Sequence, residues 1–558
     1  MPLLVAMFLV SVTLLSANAL SDPDTGFHLA TGKYVVQEGQ APHTDPFSYT
    51  SQGALIAHYW LSGVVFYGIE SIAGGWGLIW FVALLAGITY GLLLLILKLH
   101  KTLTPLAFVI LTPFVYLTVA LWVVRPQVFS YLFVVLLIYL LERWRITEKI
   151  TTLCVVPVLF VIWANMHAAV VLGLVIVGLY GLDLLRRIWA EGLREYMWPV
   201  VLMVASGVVT IINPNGIQTL LYSSVISASV EQMKILEWQS LLYYIDRARS
   251  KVMLGLMVVS LLIILWRTIG RTYTKTGIKN IVQSLRIVPL GMVAGGFILP
   301  LMSVRHVGWF PLMAAPFVVS EVVEWMSARN LTVHRIIGAS ALVIALGVVS
   351  VIGGVQHVWG MTSWSVHGLA VGAADFIEQQ HPEGPLFNTL ETGGYLIWRL
   401  WPERQVFIDG RSELYTGEVN QQYQNIIRGT AEWDDLLNDT YHINTIVLSY
   451  RQWNSWAHEK VLVDFMKAVE EKLGFVLVYW DDAAVVLVRD IPEHKELIDQ
   501  FGMKVIAPFK DSTTIPEQEW RQAEQELNNM LQRSKKSYVL EGYATQFLLQ
   551  QREIKERE

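Results

Sequence analysis

The feature that most constrains this chain is a succession of apolar runs separated by short polar connections. They are Leu3–Leu20, Ile72–Leu97, Leu103–Val124, Val128–Leu141, Ile150–Trp163, Ala168–Leu185, Trp198–Ile212, Val252–Trp266, Ile287–Met302, Val307–Val323 and Ile336–Val355. Each is long enough to cross, or nearly cross, a hydrocarbon layer of roughly 30 Å. A chain of 558 residues that is 54% hydrophobic and 16% charged has too few polar side chains to enclose so many runs in a water-soluble core. The expected fold class is a polytopic α-helical membrane protein of about eleven transmembrane helices, with a C-terminal soluble α/β domain. Val128–Leu141 and Ile150–Trp163 are short enough to form a re-entrant pair instead.

Ala17-Asn18-Ala19 has the form of a signal-peptidase site. Met1-Pro2 supplies no basic n-region, however, and the first run is longer than a usual signal core, so the first helix is expected to be retained. The formal charge of −5 and the lack of a large basic face exclude nucleic acid as a partner. The single cysteine, Cys154, excludes disulfides within the chain.

Lys and Arg set the orientation. One series of connections holds Lys98 and Lys101; Arg143, Arg145 and Lys149; Arg186, Arg187 and Arg194; Arg267, Arg271, Lys275 and Lys279; and Arg329 with Arg335. These alternate along the chain and are expected to be cytoplasmic. The other connections, and everything after Val355, are expected outside. The localisation is therefore the cell membrane, multi-pass, with the C-terminal domain extracytoplasmic. Three regions follow: 1–356, a transmembrane domain whose first outer loop is 21–71; 357–510, an α/β domain; and 511–558, a helical tail. In the second region Gln405–Asp409, Thr445–Ser449, Phe475–Tyr479 and Ala483–Val488 read as strands.

The unusual polar residues fall on the outer side. Asp22, Asp24, His28, Asp45 and His58 occupy the first loop, and Arg125, Asn165, His167, Asn213, Glu237, Arg305 and His306 flank later runs. Charged and imidazole groups at a membrane boundary meet a polar substrate without the full cost of burial in lipid. Asp22-Pro23-Asp24 is the sharpest of these motifs. A carboxylate there is a candidate general base, and the pair is a candidate site for a divalent cation such as Mg2+ or Mn2+. The plainer reading is that one Asp caps the helix that follows. Asp45 is a further catalytic candidate, although Asp45-Pro46 also reads as a turn. The remaining residues are substrate-binding candidates. Arg305, with His306 beside it, and Arg125 suit a phosphate, which Arg grips bidentately. Asn165, His167 and Asn213 also suit helix ends, and Glu237 a solvated surface. Glu391-Thr392-Gly393-Gly394-Tyr395 and Asp409-Gly410-Arg411 lie at strand ends and turns, where glycines serve tight turns or line an acceptor groove, and one Gly-Gly pair is too weak a signal for a phosphate loop.

Taken as an ordered set, DPDTGFHLATG, APHTDPFSYT, HYWL, RPQVFSYL, NMHAAVVLG, INPNG, EW, GGYLIW and VFIDGRSELY resemble the GT-C polytopic glycosyltransferases. That superfamily includes protein O-mannosyltransferases, aminoarabinose transferases and oligosaccharyltransferase catalytic subunits. The motifs are most similar to a set of uncharacterised bacterial members, and the resemblance runs from Leu3 to about Arg489. It implies transfer of a sugar from a polyisoprenyl phosphate or diphosphate carrier to a protein, lipid or glycan acceptor on the outer side, among membrane lipids. It also implies that Asp24, which matches the family's first-loop Asp, is the catalytic base. Thr25 stands where many relatives carry Glu, so any second acid has to come from Asp22, Asp45 or Glu237. Two other readings share some of these features: a lipid-linked sugar transporter or flippase, and an envelope glycan polymerase or ligase. The first should show paired broken helices in two halves, and no such repeat is seen.

Overall fold

The structure is a computed structural model, and it describes residues 1–51, 55–222, 236–273, 284–328, 333–359, 361–366, 368–449, 456–508, 512–533 and 537–555. Lys275, Lys279 and Arg329 of the basic series lie outside the described residues. The chain divides into two compact units. One holds Met1–Asn18 and Ile56–Met361, and the other holds Ala19–Leu55 and Thr362–Glu558. Most of the first outer loop thus belongs to the unit that contains the C-terminal region.

The first unit is helical. Its helices are α1 (Pro2–Leu15), then, after α2 (Asp24–Glu38) of the other unit, α3 (Trp60–Leu99), α4 (Pro105–Thr118), α5 (Gln127–Thr147), α6 (Val155–Met166), α7 (Val170–Glu191), α8 (Met197–Val208), α9 (Ala248–Tyr273), α10 (Ile287–Met302), α11 (Trp309–Ser327) and α12 (Val333–Trp359). Every apolar run of the sequence corresponds to one of them. Among the described residues, three helices (α3, α5 and α9) are long and apolar enough by length and composition to cross a membrane, and Pro2–Leu15, Pro105–Leu121, Ile150–Met166, Ile287–Met302 and Gly347–Trp359 are shorter apolar helices. Helix α1 ends at Leu15, and α4 tightens into a 3₁₀ turn at Val119–Leu121. Such endings cut the helices shorter than their apolar runs. Helix α3 is two segments joined at Gly74, whose φ of 60° suits a residue without Cβ. The segment that opens with Trp60-Leu61 is therefore set apart from the long apolar one. Helix α1 packs on α3 and α12, α3 on α5, and α10 between α9 and α11. Tyr90, Phe108, Phe114, Phe160, Trp163 and Phe310 are fully buried there. Large side chains that interdigitate without voids give such a bundle its dispersion contacts.

The second unit carries a four-stranded sheet of order β1-β2-β4-β3, with β1 Leu386–Asn388, β2 Thr445–Ser449, β3 Phe475–Trp480 and β4 Ala484–Arg489. Strands β1 and β2 are parallel, and β2–β4 and β4–β3 are antiparallel. Strand β2 is buried along its whole length, as its apolar run implies. The β3–β4 turn is closed by Asp481, whose Oδ1 accepts the N–H groups of Ala483 and Ala484 at 2.8 and 2.9 Å. Gln405–Asp409 differs from its expected strand. It stays outside the sheet because other groups take its backbone hydrogen bonds. Asn388 Oδ1 accepts from Phe407 N–H at 2.8 Å, and Val406 N–H donates to Phe47 O at 3.0 Å. The segment thereby pairs with the first loop.

Candidate active site

In the second unit the sharp motif of the sequence meets the glycine motifs. Asp22 Oδ1 accepts the backbone N–H of Asp24 at 3.0 Å, an Asx turn that opens α2 at Asp24. His28 lies one turn further along α2 and is buried. Helix α2 packs on the helix Leu390–Leu400 at a glycine contact. A Cβ on Gly26 would stand 2.0 Å from Gly394 O, and one on Gly394 would stand 2.2 Å from Pro23 O. Gly393 closes in the same way on Ile408 O, at 2.0 Å. The glycines are thus a close-packing device that only residues without Cβ permit. Gly410 does a related job: a Cβ there would stand 2.3 Å from Asp24 Oδ1. The backbone of the Asp-Gly-Arg turn therefore runs against the Asp24 carboxylate.

The same turn anchors the loop that carries Asp45. The Arg411 guanidinium donates to Asp45 Oδ1 and Oδ2 at 2.7 and 3.2 Å, and to Asp409 Oδ1 and Oδ2 at 2.7 and 2.6 Å. All three side chains are buried. Tyr415 donates to Asp409, and Ser48 Oγ donates to Asp45 Oδ2 at 2.5 Å. Burial works against the Asp45 charge, but the charge and hydrogen bonds of Arg411, joined by Ser48 and the Phe47 N–H, hold its carboxyl below the usual value. Both Asp45 oxygens are engaged in holding the loop.

In the first unit, Arg305 is the common electrostatic neighbour of His58, His167, Glu237 and His306. Its guanidinium lies 5.2 Å from the Trp238 ring centroid, a cation–π contact that fixes its plane. The His306 ring meets the same indole edge-on at 6.1 Å. Arg125 Nη1 donates to Glu237 Oε2 at 3.2 Å. That charge, with Arg305 adding to it, holds the Glu237 carboxyl below its usual value. The His58 ring stands 4.0 Å from Tyr222 and 5.9 Å from His167. Burial pushes the His58 imidazole down to about 3, with a smaller push from Arg305. His167 Nδ1 pairs with Ser130 Oγ at 2.9 Å, and Trp163 donates to that same oxygen at 2.7 Å.

The sequence-derived candidates fall into these two clusters, with two exceptions. Asn165 accepts from Trp60 and donates to Val161 O and Ile212 O. Asn213 bonds Thr210 O, Gly216 O, Asn215 N–H and Thr219. Both tie helix ends together. Sequence reasoning did not place Trp238, Ser130, Tyr222 or Tyr415 in a site, and it offered Arg411 only within a turn lining an acceptor groove. The EW, VFIDGRSELY and RPQVFSYL motifs were the available signals for Trp238, Arg411, Tyr415 and Ser130. For the cation, no group of three or more His, Cys, Asp or Glu side chains converges among the described residues. Asp22 and Asp24 offer two carboxylates. That fits the Mg2+ habit of one or two carboxylates completed by water and substrate phosphate, not a protein cage.

No protein-family model matches the chain, and no curated protein matches it. Among solved structures, it is similar to the oligosaccharyltransferase of Archaeoglobus fulgidus, in complex with Zn and sulfate, with a TM-score of 0.53 and 11% identity over 88% of this chain and 73% of that one. It is also similar to ArnT from Cupriavidus metallidurans bound to undecaprenyl phosphate, with a TM-score of 0.47 and 12% identity over 88% of this chain and 98% of that one. The chain shares the fold of the archaeal oligosaccharyltransferase over most of its length.

Proposed function

We propose that the protein is a multi-pass membrane glycosyltransferase. It takes a sugar from a polyisoprenyl-phosphate donor and passes it to an acceptor at the extracytoplasmic face. The observation that carries this reading is the likeness in fold to the archaeal oligosaccharyltransferase over most of the chain. The Asp-Pro-Asp motif that opens α2 supports it.

The chemistry assigned to the residues is a single displacement. Asp24 accepts the proton of the acceptor hydroxyl as that oxygen bonds to the anomeric carbon. The bond from the anomeric carbon to the phosphate oxygen breaks, and a singly charged phosphodiester becomes a doubly charged monoester. In the helical unit, Arg305, held flat by Trp238, and Arg125 are the cations assigned to the donor phosphate. Asp45 serves this reaction as a positioning residue through Arg411. A bound Mg2+ or Mn2+, held by Asp22 and Asp24, would supply further neutralisation of phosphate charge.

The test is release of labelled sugar from a panel of polyisoprenyl-phosphate sugars by the wild type, Asp24→Asn and Arg305→Gln, each with and without a divalent cation. The expected result is wild-type turnover, a fall of roughly a hundred- to ten-thousand-fold in Asp24→Asn with donor binding retained, and weakened donor binding in Arg305→Gln. Donor binding without turnover in any protein, even with crude acceptor extracts, would overturn the transferase reading in favour of a lipid-linked sugar transporter.

A further inference from the structure

At the far end of the helical unit from Arg125 and Arg305, the basic residues that read as ordinary connections build a cavity. Arg125 stands just before α5 and Arg145 in its last turn. Twenty-one residues of helix separate the two ends by roughly 30 Å. The cavity, of about 610 Å³, is lined by Arg145 from α5, Asp183 and Arg186 from α7, Arg271 from α9, and Ser284 and Arg286 before α10.

The charges around it do not balance. Arg145 bonds Glu142 at 2.9 Å, Arg186 bonds Asp183 at 2.8 Å, and Arg187 reaches Asp183 at 3.8 Å. Arg267 bonds Glu321 at 2.6 Å, Arg271 bonds Glu324 at 2.9 Å, and Arg286 pairs with Glu321. Among the described residues, and leaving aside the exposed Glu148, six guanidinium groups thus share Glu142, Asp183, Glu321 and Glu324, an excess of two positive charges. Glu148, whose side chain is 72% exposed, reaches Arg187 at 3.7 Å. Glu142 and Glu321 are buried behind the wall, and most of the arginines keep only a small exposed fraction. Partly desolvated cations in excess call for a counter-anion. Residues Ile287 and Val288, in the first turn of α10, also line the cavity, and Arg286 makes no side-chain cap there. The N-terminal turn of a 16-residue helix adds orphan N–H groups and a positive field on the same space.

We infer that this cavity is a binding site for a doubly charged phosphate group, separate from the outer-side cluster. Arginine forks suit the flat faces of phosphate, and a dianion matches the excess charge. The group could belong to a lipid phosphate headgroup or to a soluble phosphate. The inference does not depend on the transferase reading.

The experiment uses the full chain carrying Arg305→Gln, so that the outer cluster does not report. Binding of ³²P-orthophosphate is measured in phosphatidylcholine nanodiscs, with and without phosphatidic acid, and bound lipid is read by native mass spectrometry. Two variants are added: Ser284→Glu, which places a carboxylate in the cavity and leaves the ion pairs in place, and Arg271→Gln, which gives up the pairs to Glu324 and Glu321 and is read at a melting temperature checked against the parent. The expected result is saturable binding near one phosphate per chain, weakened at least tenfold by either variant, with the melting temperature of Ser284→Glu unchanged or raised. Displacement of orthophosphate by phosphatidic acid, or retention of phosphatidic acid alone, assigns the site to a lipid headgroup. Orthophosphate binding that phosphatidic acid leaves intact assigns it to a soluble phosphate. The absence of both ligands from a protein of normal melting temperature would overturn the inference, as would binding that neither variant changes.

Discussion

Arg411 holds both carboxylate oxygens of Asp45, at 2.7 and 3.2 Å, across a sequence separation of 366 residues. The pair ties the first loop to the Asp-Gly-Arg turn and so fixes the segment that follows Asp24 along α2. Removing one partner leaves a buried charge uncompensated. Arg411→Gln or Asp45→Asn should therefore destabilise the second unit by about 3–5 kcal/mol. Faster limited proteolysis of the second unit in the full-length protein, with the helical unit intact, is the readout. Unchanged protection in both variants would show that the pair is not needed to hold the loop.

Gly26 and Gly410 make opposite demands. A Cβ on Gly26 meets backbone at 2.0 Å, which can yield only if α2 moves away from Leu390–Leu400. Gly26→Ala should cost about 1–3 kcal/mol and lower the melting temperature. A Cβ on Gly410 meets the end of the Asp24 side chain, which can rotate. Gly410→Ala should keep most of the stability and lose turnover, because it displaces the proposed base. Equal effects of the two changes on stability and turnover would contradict this division.

Two buried carboxylates give opposite pH signatures. Asp45 has a folded pKa below the unfolded value of about 3.8. Its contribution is present above that value and is lost as pH falls through the folded pKa. Asp481 is pushed up by burial to about 6. Its contribution is present below about pH 3.8 and is lost as pH rises through 6, a change of about 3 kcal/mol. Melting curves of the wild type and Asp481→Asn between pH 4 and 7 (roughly the window between those two values) should diverge. The wild type should lose stability relative to the variant as pH rises, and parallel curves would refute the assignment.

Trp238 holds the plane of Arg305, so Trp238→Leu should weaken donor binding while leaving the charge in place. A cation–π contact of this kind contributes about 0.5–2 kcal/mol, or roughly two- to thirtyfold in affinity. Trp238→Phe should recover part of that loss. Donor affinity that is the same in all three proteins would separate Trp238 from phosphate binding.

The sequence by itself determined the helical unit, the α/β character of the C-terminal region and the chemical types at one series of helix ends. Apolar runs and alternating basic connections are local signals, because hydrocarbon length and backbone hydrogen bonding act on contiguous residues. The start of α2 at Asp24 was legible for the same reason, since an Asx turn is written in three residues. Only the tertiary structure decided which polar residues meet. Asp45 finds Arg411, Arg305 finds Trp238, and the arginines of three separate connections gather around one cavity. It also moved Gln405–Asp409 from strand to loop, because Asn388 and Phe47 took its hydrogen bonds. Contacts of that range depend on which helices and turns pack together. That choice rests on close approach at residues such as Gly26 and Gly394, which no local pattern of charge or hydropathy encodes.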